Sequence, residues 1–273
     1  MVQRLRHTGF AHSALKDFLK LSRIIKAIMG DMVKLSAGGN SFDAYVARPS
    51  GDVKGSMIVI HEIWGLVAHV KGIADKLAAE GYVALAPNLI ETGLTEKMAG
   101  ELQEELFDPE RRSQAQPKIR ELMTPLQAPN FGANTLANVQ ACFAYLAKQD
   151  GVNGNVGIMG FCFGGTYSFS LAVHEPKLKV ALPFYGHADF SAEELKAITC
   201  PILAFYGEKD ERLMEQLPEL KSKMAEAGVD FTAQVYPDCG HAFFNDTNPY
   251  AYNQAAAADA WQRTLTLLAK SFA

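Results

Sequence analysis

The sequence predicts an α/β protein, built on a mainly parallel, doubly wound sheet with an antiparallel hairpin at its start. Two patterns carry this expectation. Short apolar runs with little polar alternation recur along the chain, and a longer helical stretch separates most of them. Strands of that kind are covered on both faces, as in parallel sheets flanked by helices.

The opening hairpin is read from Val33–Leu35 and Phe42–Ala47 around Ala37-Gly38-Gly39-Asn40, a composition suited to a tight reversal. Strand-like Met57–His61 precedes a helical stretch at Val70–Glu80, and Val83–Ala86 follows as the next strand. Thr135–Lys148 reads as a helix, Val156–Met159 as a strand and Gly164–His174 as the helix after it. Val180–Phe184 and Ile202–Tyr206 are strands, Met214–Ala227 a helix, Phe231–Val235 the last strand and Ala255–Ser271 the closing helix. Between Leu94 and Asn130 the pattern breaks into charged residues and prolines, which reads as a helical excursion or lid. No repeat or Gly/Ser/Pro-rich linker divides the chain, so residues 32–273 are expected to form one domain. Residues 1–31 carry Arg4, Arg6, Lys16, Lys20, Arg23 and Lys26 and read as a basic helical extension.

A net charge of −4 gives no broad basic surface for a phosphate backbone, so nucleic acid is not expected as a partner and a small molecule is. No apolar run is long enough to span a bilayer, and charges interrupt the N-terminal segment too often for an export signal, which points to the cytoplasm. The four cysteines, Cys142, Cys162, Cys200 and Cys239, lack metal-site or redox-dithiol spacing. No cofactor or metal is expected, and the chain is read as a monomer, with a dimer as the alternative.

The chemistry centres on Gly160-Phe161-Cys162-Phe163-Gly164-Gly165, which joins a strand to a helix. Such an elbow strains its central residue and pushes the side chain above the sheet, and glycines two positions away on either side relieve the crowding. The next amide, that of Phe163, then lies at a helix N-terminus, where it can hold an oxyanion. A thiol needs a base to become a thiolate. Asp210, in the loop after the strand Ile202–Tyr206, is the candidate orienting acid, with Glu208 in reserve. His241, after the last strand, is the candidate base, with His187 as its rival. The order nucleophile, acid, base is that of α/β-hydrolases.

With these residues, the segments His61-Glu62-Ile63-Trp64-Gly65, Gly207–Asp210 and Gly240–Asp246 make the sequence resemble the dienelactone hydrolase family of α/β-hydrolases. The resemblance runs from about Met32 to the C-terminus. It implies the α/β-hydrolase fold, hydrolysis of an ester or lactone by a Cys162–His241–Asp210 triad, and a second oxyanion donor at the Ile63 amide. It also implies that Glu62 contacts the nucleophile and helps switch the thiol to a thiolate. A carboxylate nearby disfavours the thiolate by like-charge repulsion, which agrees with a protonated resting state. His61-Glu62 does not continue into a zincin motif, because Gly65 stands where the second histidine would fall.

Family members acting on catechol-derived lactones hold the substrate carboxylate with arginines, one of them shortly after the catalytic histidine. Here that region reads Phe243-Phe244-Asn245-Asp246, and Ile90-Glu91-Thr92-Gly93 also lacks a cation. A more neutral or apolar ester is therefore an alternative substrate, with Trp64, Phe163, Phe243 and Phe244 lining the pocket. Two other classes remain open: a thiol redox sensor with Cys239 as the resolving partner, and a binding module that has lost catalysis.

Overall fold

The computed structural model describes residues 30–273. The basic extension therefore lies almost wholly outside the described residues. Strand β1 (Asp31–Ala37) begins one residue before the expected domain start and pairs antiparallel with β2 (Asn40–Ala47). Ala37 faces Asn40, so the loop is Gly38-Gly39 alone, with φ of 56° and 85°. Two successive left-handed residues make the turn whose twist matches a hairpin, and glycine adopts them without a Cβ clash.

The sheet has eight strands in the order β1-β2-β4-β3-β5-β6-β7-β8. Strand β2 is antiparallel to β4 (Tyr82–Pro87), and from β4 onward every pairing is parallel. The remaining strands are β3 (Gly55–Ile60), β5 (Val156–Phe161), β6 (Val180–Phe184), β7 (Ile202–Gly207) and β8 (Phe231–Tyr236). Strands β3, β4, β5 and β6 are buried at every residue, as their unbroken apolar character requires.

Helices cover both sides. They are α1 (Ala68–Ala79), α4 (Phe131–Leu146), α5 (Phe163–His174), the short α6 (Ala192–Leu195), α7 (Glu211–Ala227) and α8 (Gln254–Ser271). The excursion between β4 and α4 contains α2 (Glu96–Phe107), α3 (Arg112–Met123) and a 3-10 turn at Thr124–Gln127. It has a small core of its own, in which Ala99, Leu102, Ala115 and Leu122 close over Trp64. Among the described residues no helix is long and apolar enough to cross a membrane.

After β3 the chain moves outward to β4, and then returns to place β5 on the other side of β3. Loops leaving β3 and β5 thus diverge at their carboxyl ends. In an open α/β sheet the crevice at this reversal is where ligands bind.

Candidate active site

Cys162 occupies that crevice. Its φ of 54° and ψ of −108° lie in a region that non-glycine residues rarely enter, as the elbow requires. Hydrogen bonds hold it there: Cys162 N–H donates to the Phe184 carbonyl at 3.0 Å, and Gly164 N–H to the His61 carbonyl at 3.1 Å. The flanking glycines are sterically necessary. A Cβ on Gly160 would lie 2.2 Å from the Gly164 oxygen, and one on Gly164 would lie 2.3 Å from the Ile60 oxygen. Both collisions are with backbone, which cannot rotate away.

The next strands deliver the partners. Asp210 stands just beyond β7, immediately before α7 but with no side-chain bond to that helix, and His241 sits in the turns beyond β8. Asp210 Oδ2 is 2.5 Å from His241 Nδ1, and the carboxylate is largely shielded from water. Burial disfavours the imidazolium, but the Cys162 sulfur and the Asp210 carboxylate outweigh it and hold the His241 pKa well above the ordinary 6.5. His187, the rival base, also reaches the crevice, but its Nδ1 meets the Thr166 hydroxyl at 3.0 Å. Burial and the Arg212 charge push its pKa down.

Glu62 is buried, 3% exposed, and is not among the residues lining the cleft over Cys162. Its Oε2 accepts from Asn245 Nδ2 at 2.7 Å, and the same nitrogen donates to Gln103 Oε1 of α2 at 3.0 Å. Asn245 Oδ1 accepts from the Thr247 amide and hydroxyl, which fixes the orientation of the Asn245 amide. Beneath this loop, His61 is fully buried. Its Nδ1–H donates to the Glu62 carbonyl at 2.5 Å, while Nε2 accepts the Leu89 N–H at 3.0 Å. Its ring stacks on Phe163 at 5.7 Å.

A cleft of about 520 Å³ opens over Cys162, with Ile63, Phe163, Phe131, Tyr167, Leu126 and Leu213 in its walls. Phe163 is the first residue of α5, so its N–H has no carbonyl one turn earlier in the helix. Of the aromatic residues expected in the pocket, Phe163 lies in the wall and three do not. Trp64 is 4% exposed and serves the excursion's core. Phe243 packs under Tyr185 and Tyr236 at 5.7 and 5.0 Å, and Phe244 stacks on Phe161 at 5.4 Å. Nearness to a site residue along the chain does not decide which way a ring points, and burial of large apolar area turned these inward.

Among the cleft residues that were not foreseen, Tyr185, His187 as a wall residue and Arg212 bring polar groups to the site. Tyr185 directly follows β6, His187 lies two residues further on, and Arg212 lies two residues past Asp210, so all three fall at the same sheet edge, and that position was the available signal.

A cysteine on the elbow after a central strand, with an acid and a histidine supplied by later strands, is the layout of an α/β-hydrolase. The family model for the dienelactone hydrolase family matches residues 42–272. A protein of Saccharolobus solfataricus named "Putative carboxymethylenebutenolidase" is 34% identical, over 84% of this chain and 94% of its own length. The crystal structure of a "Putative Dienelactone Hydrolase" from Klebsiella pneumoniae is 27% identical with a TM-score of 0.71, covering 88% of this chain and 98% of that one. A dienelactone hydrolase-like promiscuous phosphotriesterase from metagenomic libraries shares the fold, with a TM-score of 0.69 at 20% identity, covering 90% of this chain and 100% of that one. The chain belongs to the dienelactone hydrolase family, and so to the hydrolases.

Proposed function

We propose that this chain hydrolyses carboxylic esters or lactones with Cys162 as nucleophile. One observation carries the reading: an elbow cysteine and a histidine bonded to a shielded carboxylate at 2.5 Å share one cleft. The Cys162 proton passes to His241 Nε2, and the sulfur bonds to the substrate carbonyl carbon. The Phe163 and Ile63 amides hold the oxyanion that forms. As the C–O bond breaks, His241 returns the proton to the leaving oxygen. Water, deprotonated by the same imidazole, then attacks the thioester, releasing the acid and the thiol. Asp210 keeps Nδ1 protonated, so that Nε2 is free to accept.

The walls favour a substrate with an apolar body, and Arg212 at the cleft supplies a cation that could meet an anionic group. Relatives named as carboxymethylenebutenolidases support including anionic lactones among the candidates. A redox-sensor reading finds less support, because Cys239 is buried and is not among the cleft's walls. The test is hydrolysis of a panel of neutral and anionic esters and lactones by the wild type and Cys162→Ala. Turnover should fall to background in the variant; full turnover without the thiol would refute the reading.

A further inference from the structure

Tyr185 is the residue on which the site's unexplained features converge. Strand register pairs Phe161 with Phe184, so the residues that follow, Cys162 and Tyr185, leave the sheet side by side. Tyr185 has a φ of 39°. A bulky side chain in the left-handed region is a real backbone outlier, and such strain persists only where the surroundings impose it. Here they do, since Tyr185 N–H is held by the Phe205 carbonyl at 2.7 Å. Its ring is wedged between His241 at 5.0 Å and Phe243 at 5.7 Å. The side chain is 1% exposed, yet it forms part of the cleft wall over Cys162.

The hydroxyl at the end of this locked ring is buried and has no well-formed hydrogen bond among the described residues, and the same is true of Glu62 Oε1. An unpaired buried donor beside an unpaired buried acceptor is rare, and each is costly to leave alone. The charged groups around the hydroxyl come from several elements: Glu62 after β3, Cys162 after β5, and Asp246 after β8. His241 touches the ring, and Asp210 stands behind His241. Burial first, and the Glu62 and Cys162 charges second, hold the phenol proton on, so the group is a neutral O–H donor at any ordinary pH.

We propose that the Tyr185 hydroxyl is a shared hydrogen-bond donor, turning to Glu62 Oε1 while Cys162 is a thiol and to the sulfur when the thiolate forms. This rests on the cysteine-hydrolase reading above. No covalent bond changes in the exchange: the phenol keeps its proton, and the thiol proton goes to His241. Rotation of one O–H gives the thiolate a donor and leaves the Glu62 oxygen without one. Tyr185 is thus a positioning residue that lowers the cost of forming the nucleophile next to a carboxylate.

The experiment is the pH dependence of iodoacetamide alkylation at Cys162 in the full chain, with the modified site identified by mass spectrometry. Burial pushes the Cys142, Cys200 and Cys239 thiols up, so they compete poorly. Tyr185→Phe removes only the oxygen. Its inflection should rise by up to about one pH unit, with alkylation at neutral pH slowed up to roughly tenfold, because the bond lost to the charged sulfur outweighs the poorly formed one lost to Glu62 Oε1 in the thiol state. Glu62→Gln should move the inflection the other way. Tyr185→Leu, a second variant without the O–H, should match the direction seen in Tyr185→Phe, with melting temperatures reporting that each variant is folded. An unchanged inflection in folded Tyr185→Phe would overturn the proposal. Because alkylation needs no substrate, that failure is distinct from the failure of the hydrolase reading, which shows as turnover in Cys162→Ala.

Discussion

Acidification should weaken this fold through His61, which touches no substrate but supports the loop that carries Glu62 and Ile63. The ring is fully buried and its two nitrogens have opposite duties: Nδ1 donates to the Glu62 carbonyl and Nε2 accepts from Leu89 N–H. A second proton could only go on Nε2, where it would face that N–H. Burial lowers the His61 pKa from the ordinary 6.5 to about 4, and the bond to the Glu62 carbonyl only partly offsets the effect. The unfolded chain therefore takes up its proton near pH 6.5, while the folded chain resists until about pH 4. Stability from this group is complete above pH 6.5 and is lost as the pH falls through that window. At roughly 1.4 kcal/mol per pH unit, the whole window is worth about 3 kcal/mol, an order-of-magnitude figure. Urea unfolding between pH 8 and pH 4.5 measures the loss, with His61→Gln as the reference. Glutamine offers a donor and an acceptor but does not titrate, so carboxylate effects common to both proteins cancel. The wild type should lose more stability than His61→Gln, and the gap should open below about pH 6.5. Parallel curves would show that His61 protonates without cost to the fold, and would refute the reasoning.

Gly164→Ala should cost about 3 kcal/mol or more in chemical denaturation, because its Cβ would lie 2.3 Å from the Ile60 carbonyl oxygen and only backbone could move. Asp210→Asn should leave the melting temperature nearly unchanged while lowering kcat by about 10³- to 10⁴-fold, since an amide can present its N–H to His241 and select the wrong tautomer. Asn245→Leu should destabilise the protein by about 3 kcal/mol, read from the urea midpoint, because Glu62 Oε2 and Gln103 Oε1 would lose their shared donor in a buried place. Arg212→Ala should raise KM for anionic esters several-fold and leave neutral esters unaffected; equal changes for both would remove Arg212 from substrate selection.

What could be read in advance divides along a physical line. The elbow is governed by local sterics: a strained residue, a strand before it, a helix after it and glycines at fixed offsets. Six consecutive residues therefore announced it, and the geometry at Gly160, Cys162 and Gly164 follows the same rule. Strand-length apolar runs likewise gave the parallel sheet, because burial on both faces marks each strand independently. Element ends were displaced by a residue or more, as at β1, and the four-residue α6 offered too short a pattern to detect. Residues whose importance depends on strand order were silent. Tyr185 becomes a neighbour of Cys162 only because β6 lies beside β5, and Gln103 reaches Asn245 from α2, across 142 positions of chain.

Asn245 shows what such long-range contacts change. In sequence it stood out only as part of a stretch, Phe243–Asp246, that lacks an arginine. In the fold it is an amide with every hydrogen bond it makes directed, joining Glu62 to the excursion helix through one nitrogen. An amide orients a carboxylate without neutralising it. The Glu62 oxygen facing away from Asn245 therefore keeps its demand for a donor, and the Tyr185 hydroxyl is the neighbouring group free to meet it. Replacing Asn245 by a cation should reduce that demand. Asn245→Arg, if folded, is expected to shrink the effect of Tyr185→Phe on the Cys162 alkylation inflection, a non-additivity that a double-mutant cycle measures directly. Full additivity would mean that the two residues act on the thiol independently and that Glu62 does not connect them.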